Sequence, residues 1–226
     1  MRNYLIIFLL IALLEQCQTG FAQNYKSSPY FDATVYHIDG RSTANGLDIT
    51  DGFPDAVGMG VGYEFVISDP WRILTGADFA TSTFHASYSE DFEKKALMSL
   101  ATNAIALNFS PRYYPVLDDE AGIFVGLLSR LETTSSLARF KFRDKDDLKT
   151  PRSHSPFQFQ YGLEIGLMVS LDEAINGSIS LGFVSRNYGG SIDKLDLAQS
   201  GYFKNETMKR STSLELKATF YIQRNR

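Results

Sequence analysis

The sequence predicts an all-β protein, specifically an eight-stranded antiparallel up-and-down transmembrane β-barrel. The first ground for this is the stretch from Phe157 to Leu171, where large apolar residues fill nearly every odd position and Gln158, Gln160, Gly162, Glu164 and Gly166 fill even ones. Successive side chains of a strand point to opposite faces, so the segment offers one continuous apolar face and one face of small, polar and ionisable groups. At about fifteen residues it exceeds the usual five or six of a soluble strand and suits a tilted bilayer crossing. The second ground is the beginning of the chain. Arg2 precedes an unbroken apolar run from Tyr4 to Leu14, and Gly20-Phe21-Ala22 supplies small residues where a signal peptidase reads. A signal peptide over residues 1–22 is therefore expected, leaving a barrel over 23–226. Glu15 and Gln16 end the run before the roughly twenty apolar residues that a membrane helix needs. The third ground is the alternation of short and long connections between strands.

Cys17 is the only cysteine in the sequence. Leu14-Glu15-Gln16 lacks the small residue expected before a lipidated cysteine, and cleavage after Ala22 leaves a chain without disulfides. A mature length of about 200 residues fits one barrel domain. The net charge of −4 offers no concentrated basic surface for nucleic acid. Mean hydropathy near neutral excludes a helical membrane bundle but suits a barrel, in which alternate residues alone meet lipid.

The eight strands are expected at Tyr30 to Ile38, Val57 to Phe65, Arg72 to Ala86, Leu97 to Tyr113, Gly122 to Phe142, Phe157 to Leu171, Gly177 to Tyr188 and Met208 to Ile222. In the second, Val57, Met59, Val61, Tyr63 and Phe65 alternate with Gly58, Gly60, Gly62 and Glu64. Asp69-Pro70 breaks the chain before the third. In the last, Leu214, Leu216, Ala218, Phe220 and Ile222 alternate with Ser213, Glu215, Lys217, Thr219 and Tyr221. An even count closes the sheet, as lipid requires. Short links near Ser68, Pro115 and Asn176 are expected on the periplasmic side. Long polar segments at Gly40 to Asp55, Tyr88 to Ala96, Asp144 to Ser155 and Gly189 to Asn205 are expected outside. Trp71, Tyr113, Tyr114 and Tyr221 fall at strand ends on the turn side, where amphipathic rings suit a membrane interface.

A small soluble barrel uses the same period with its apolar face inward. Here the other face carries Gly, Ala and Ser with isolated charges, namely Glu64, Asp78, Arg112, Arg130, Glu132, Glu164, Arg186, Glu215 and Lys217. Small residues fit a narrow lumen, whereas a wetted exterior favours long charged side chains. The pattern of the signal segment, Val57 to Phe65, Ala104 to Pro115, Gly122-Ile-Phe-Val-Gly126 and the aromatic-bearing last strand resembles the small eight-stranded outer-membrane barrels of the OmpA/OmpX type and porin-family barrel domains. The resemblance covers the mature chain and carries no catalytic motif. It implies a Gram-negative cell envelope, residence in the bacterial outer membrane among lipid and lipopolysaccharide, and folding by the barrel-assembly machinery. Gln223-Arg-Asn-Arg226 departs from the terminal aromatic common in such barrels.

The inward charges are expected to pair into an ionic network, since eight strands leave room for side chains and not for an open channel. The functional expectation is a structural or surface-interaction protein whose outer loops bind any extracellular ligand. A narrow pore for ions or small solutes, tested at Arg112, Glu164 and Glu215, is the alternative. The second alternative is a rim hydrolase using His37 and His85, with Ser87, Ser89, Glu90 and Asp91 nearby; no nucleophile motif supports it, so no catalytic residue is assigned. Three scattered histidines give no metal site, and no cofactor is indicated. Arg139-Phe-Lys-Phe-Arg143 places Arg139, Lys141 and Arg143 on one strand face near the outer rim, a candidate contact for lipopolysaccharide phosphates.

Overall fold

The computed structural model describes residues 27–38, 43–44, 47–48, 53–90, 93–117, 121–172, 175–186, 189–201 and 211–222. The expected signal peptide lies outside them. Eight long strands, β1 (Ser28–Ile38), β2 (Phe53–Ser68), β3 (Trp71–Glu90), β4 (Glu93–Leu117), β5 (Ala121–Phe142), β6 (Gln158–Asp172), β7 (Ile175–Arg186) and β8 (Ser211–Ile222), pair antiparallel in chain order. Pairing of β8 with β1 closes the sheet into a barrel.

One circuit of the wall runs from Val125 through Ile165, Leu181, Leu216, Val35, Val57, Thr81 and Asn103 and returns to β5 at Ser135, ten residues further along. A stagger of that size on eight strands goes with a tilt of about 40° and an interior filled by side chains.

The faces are sorted as membrane solvation requires. Met59 is 67% exposed and Leu163 62%, and Val61, Phe79, Ile105, Leu107, Leu127, Ile179 and Leu216 also stand outside. Inside, Arg72, Arg112, Arg130, Arg186, Glu64, Glu132, Glu164 and Glu215 are buried. An exterior that is apolar around the ring is stable only against acyl chains. A soluble carrier would show the reverse.

Several connections differ from expectation. The segment from Tyr88 to Ala96 is mostly strand, because Ser89 pairs with Lys94 and Glu90 with Glu93. Strand β4 continues past Pro115 to Leu117, a register irregularity between Tyr113 and Val116 absorbing the imino acid, which has no N–H for the ladder. Tyr114 and Tyr221 turn inward and are buried, whereas Trp71 and Tyr113 sit outside and pack together with ring centroids 4.9 Å apart. Strand parity separates them: residue 113 shares the outward face with Trp71, and residues 114 and 221 fall on the other.

The barrel is taller on one side. Above the exposed belt, β3, β4 and β5 continue as a three-stranded wall, while β6 starts only opposite Glu132 and pairing of β2 with β3 stops at Val57 and Thr81. The edge of β5 that β6 leaves is covered by the chain itself. Leu148–Lys149 pairs with Arg139 and Phe140, and Ser153–His154 pairs with Ser135 and Ser136. The segment from Asp144 to Ser155 is thus partly an edge strand rather than a plain loop.

Candidate functional site

The interior is filled in three tiers. At the turn end lie two aromatic clusters, Tyr114, Phe124 and Met168 with Leu117, and Tyr30, Leu74 and Tyr221. The Arg72 guanidinium stands 4.4 Å from the centre of the Tyr114 ring and that of Arg112 4.2 Å from Phe124, so ring faces in the floor also help to stabilise these buried cations.

The middle tier is ionic. Arg112 grips Glu164 in a fork, Nε to Oε1 at 2.6 Å and Nη2 to Oε2 at 3.1 Å, and its Nη1 donates to the Tyr221 hydroxyl at 2.5 Å. Arg130 donates to Glu215 at 2.7 Å and lies 3.3 Å from Asp78, which also accepts from Asn108 at 2.7 Å. Arg186 reaches Glu215 at 3.2 Å and Glu132 at 3.5 Å, and Arg72 reaches Glu64 at 3.3 Å. Of the nine lumen residues named from sequence, eight thus stand in ion pairs. Lys217 is buried on the same inward face, on β8 beside β1, where it pairs with Thr34 two residues from Asp32.

Arg72 and Asp32 are network members that sequence reasoning did not name. Parity held the signal for Arg72, because its neighbour Trp71 faces out. Glycines make the room: a Cβ on Gly126 would come within 2.8 Å of Glu164 Oε1 and 3.1 Å of Arg112 Cγ.

The outer tier is apolar and is closed by the connection between β7 and β8. A single helical turn, α1 (Gly189–Ile192), and the residues after it fold into the mouth, where Ile192, Leu195 and Leu197 pack against Tyr36, Ala56, Ala80, Met98, Leu100, Ala104, Ala138 and Phe140. Alanines on the wall leave space for the larger side chains of this cork. The Ser191 hydroxyl, fully buried, lies 2.8 Å from that of Thr134 and 2.7 Å from that of Ser136, and Ser153 donates to the Ser191 carbonyl at 2.5 Å. The cork is therefore pinned by hydrogen bonds as well as by burial.

On the outside of the tall wall, Arg139, Lys141 and Arg143 are exposed, while Phe140 is buried in the outer tier and Phe142 packs on it. Lys149 is exposed directly across from Arg139. Lys145 donates to the Ser200 carbonyl at 2.9 Å and stands 4.1 Å from the Phe142 ring centre, tying the wall tip to the cork.

The rim residues considered for hydrolysis are not gathered into one site. His37 faces out opposite Leu214, whereas His85 faces out opposite Ser99, with β2 between their strands. The side chains of Ser89 and Glu90, and all of Asp91, lie outside the described residues. His154 belongs to the short ladder on β5, and its carbonyl accepts from Lys194 at 2.8 Å. Among the described residues no group of three or more His, Cys, Asp or Glu is placed to hold a metal.

A closed ring of eight antiparallel strands with an apolar exterior and an ionic interior defines the class: a small outer-membrane-type β-barrel. No protein-family model matches the sequence, and no curated protein does. Among solved structures the chain is similar to Neisserial surface protein A, with a TM-score of 0.50 and 13% identity over 88% of this chain and 97% of that one. It is also similar to Ail of Yersinia pestis in complex with the heparin analogue sucrose octasulfate (0.43, 9% identity, 87% and 96% covered). A third is the N-terminal β-barrel domain of OprF from Pseudomonas aeruginosa (0.38, 9% identity, 88% and 99% covered). At such identities the likeness is one of fold alone.

Proposed function

We propose that the protein is a bacterial outer-membrane surface protein, in which the barrel is an anchor and the tall outer wall makes the contacts. The observation that carries this reading is the difference between the two ends of the structure. The lumen is filled from floor to mouth by rings, ion pairs and the cork, whereas β3 to β5 rise well beyond the lipid belt with an ordered, polar outer face. A rigid scaffold that projects into water is where recognition usually sits. Arg139, Lys141 and Arg143 are the residues assigned to lipopolysaccharide phosphates. Export by the signal over residues 1–22 and insertion by the barrel-assembly machinery belong to the same proposal.

The filled lumen argues against the pore reading, and the separation of His37 from His85 argues against the hydrolase. Planar-bilayer recording of the refolded protein, paired with labelling of intact cells by a membrane-impermeant amine reagent, tests the proposal. The expected result is a silent bilayer and labelling of Lys141 and Lys149. Stable unitary conductance steps, or lysines that react only after lysis, would overturn it.

A further inference from the structure

We infer that the outward face of the β5 extension, formed by Arg139, Lys141 and Arg143 with Lys149 alongside, docks the phosphorylated core sugars of neighbouring lipopolysaccharide. The seated cork holds that face in register. The inference rests on the surface-contact reading above and narrows it to one kind of phosphate.

Height selects the ligand. Leu131 is the last large apolar residue that β5 exposes, and Arg139 follows eight residues later. At about 3.4 Å per residue and a tilt of about 40°, Arg139 stands roughly 20 Å above the edge of the hydrocarbon. The headgroup layer on one side of a bilayer is only about 5–8 Å thick. The phosphates of lipid A sit on the same sugars that carry the acyl chains, so they lie far below this face. What surrounds the wall laterally at that height, in an outer leaflet of lipopolysaccharide, is the core oligosaccharide with its own phosphates.

One juxtaposition in the patch favours a bridging anion. Arg139 and Lys149 are direct cross-strand partners and both are exposed. Like charges directly opposite on a sheet repel, and the pair is stabilised when one anion sits between them. Residues two apart on a strand are about 6.8 Å apart, which spaces Arg139 from Lys141, and Arg143 follows in the bend just past Phe142, where β5 ends. A ligand with two or more phosphates matches that row better than a single ion. Asp144, Asp146 and Asp147 are exposed in the same turn as Arg143, and Asp147 directly precedes Leu148, the cross-strand partner of Phe140, so the patch carries acids among its cations and keeps its excess of positive charge at Arg139 and Lys149.

The cork enters through the two-residue period. Phe140 and Phe142 alternate with the three cations, and their rings stack with centroids 6.2 Å apart as part of the packing around Ile192, Leu195 and Leu197. Anchoring the aromatic side of β5 therefore fixes the cationic side. Leu195 touches no ligand in this scheme and is a positioning residue.

The test is equilibrium binding to the folded full-length protein in detergent micelles with three soluble probes: deacylated phosphorylated core oligosaccharide, the same oligosaccharide after phosphatase treatment, and the bisphosphorylated glucosamine disaccharide of lipid A. The phosphorylated core is expected to bind at least tenfold more tightly than either other probe. That preference should vanish in the triple variant Arg139→Gln/Lys141→Gln/Arg143→Gln. Leu195→Ser, which changes no charge, should weaken core binding several-fold while Leu195→Met retains it. Heat-shifted gel mobility confirms folding of each variant. Equal binding of the lipid A disaccharide, or core binding unchanged in the triple variant, would overturn the inference. A sulfated polysaccharide that binds where the core sugars do not would overturn this partner while leaving the surface-contact reading intact, and the conductance and labelling experiments judge that reading separately.

Discussion

Removing one partner of the Arg112–Glu164 pair should cost far more than removing both. Arg112 is fully buried, makes two bonds to Glu164 and a third to Tyr221, and covers the Phe124 ring. In Arg112→Met the Glu164 carboxylate stays buried with the Ser180 hydroxyl, at 3.4 Å, as its remaining hydrogen-bond partner among the described contacts. An uncompensated buried charge of this kind costs about 3–5 kcal/mol. In Glu164→Gln the guanidinium is stranded instead, and the expected loss falls in the same range. The double variant Arg112→Met/Glu164→Met buries no charge at this point and should lie within about 2 kcal/mol of the parent, because apolar replacements of a buried pair are often nearly neutral. The two positions are then coupled by several kcal/mol, well beyond additivity. Urea unfolding in phospholipid vesicles reads this directly, since Trp71 is the sole tryptophan and sits half-exposed at the turn side of the barrel. Additive single-variant losses of under about 1 kcal/mol each would refute the argument, and would mean that water rather than the partner solvates each ion.

Three further substitutions test the placement and packing of the wall. Leu163→Arg, near the middle of the exposed belt, should destabilise the protein in vesicles by about 2–4 kcal/mol, whereas Leu97→Arg, on the same outward face but above the belt, should change it by about 1 kcal/mol or less; equal costs at the two heights would contradict the placement of the bilayer. Gly166→Ala puts a Cβ against the Phe124 ring and 2.8 Å from the Ile179 carbonyl, and its midpoint in urea should fall by the equivalent of about 1–3 kcal/mol; an unchanged midpoint would show that Phe124 is free to move aside.

The barrel was legible because its strands meet two different solvents. Met59 to Phe65 and Phe159 to Leu171 are apolar on one side and small or ionic on the other, which is the signature of lipid without and ion pairs within. The cork was hidden because this rule lapses outside the bilayer. Met98, Leu100 and Phe140 are inward residues on strands whose outer halves turn apolar side chains inward and mainly polar ones outward, the reverse of the pattern in the belt, and the segment Ile192-Asp-Lys-Leu-Asp-Leu197 reads as polar loop. Its three apolar residues are the only local hint, and what they pack against comes from five different strands. The ionic partners were legible as a set, through parity, but not as pairs. Arg112 and Glu164 are 52 residues apart in sequence, and they meet because both stand in register with Gly126 of the strand between theirs, which has no side chain to part them.

The assignment of faces on which all of this depends can be measured on β6. Single spin labels at each position from 157 to 171, placed one at a time in protein reconstituted into vesicles, report access to dissolved oxygen, which concentrates in hydrocarbon, and to a water-soluble nickel chelate. The structure predicts an oxygen signal that rises and falls with a period of two and peaks at Phe159, Tyr161, Leu163, Ile165 and Leu167, with both reagents excluded at Gln160, Glu164 and Met168. Peaks at the even positions, or nickel access along the odd ones, would place the apolar stripe inside a water-surrounded barrel and contradict the account.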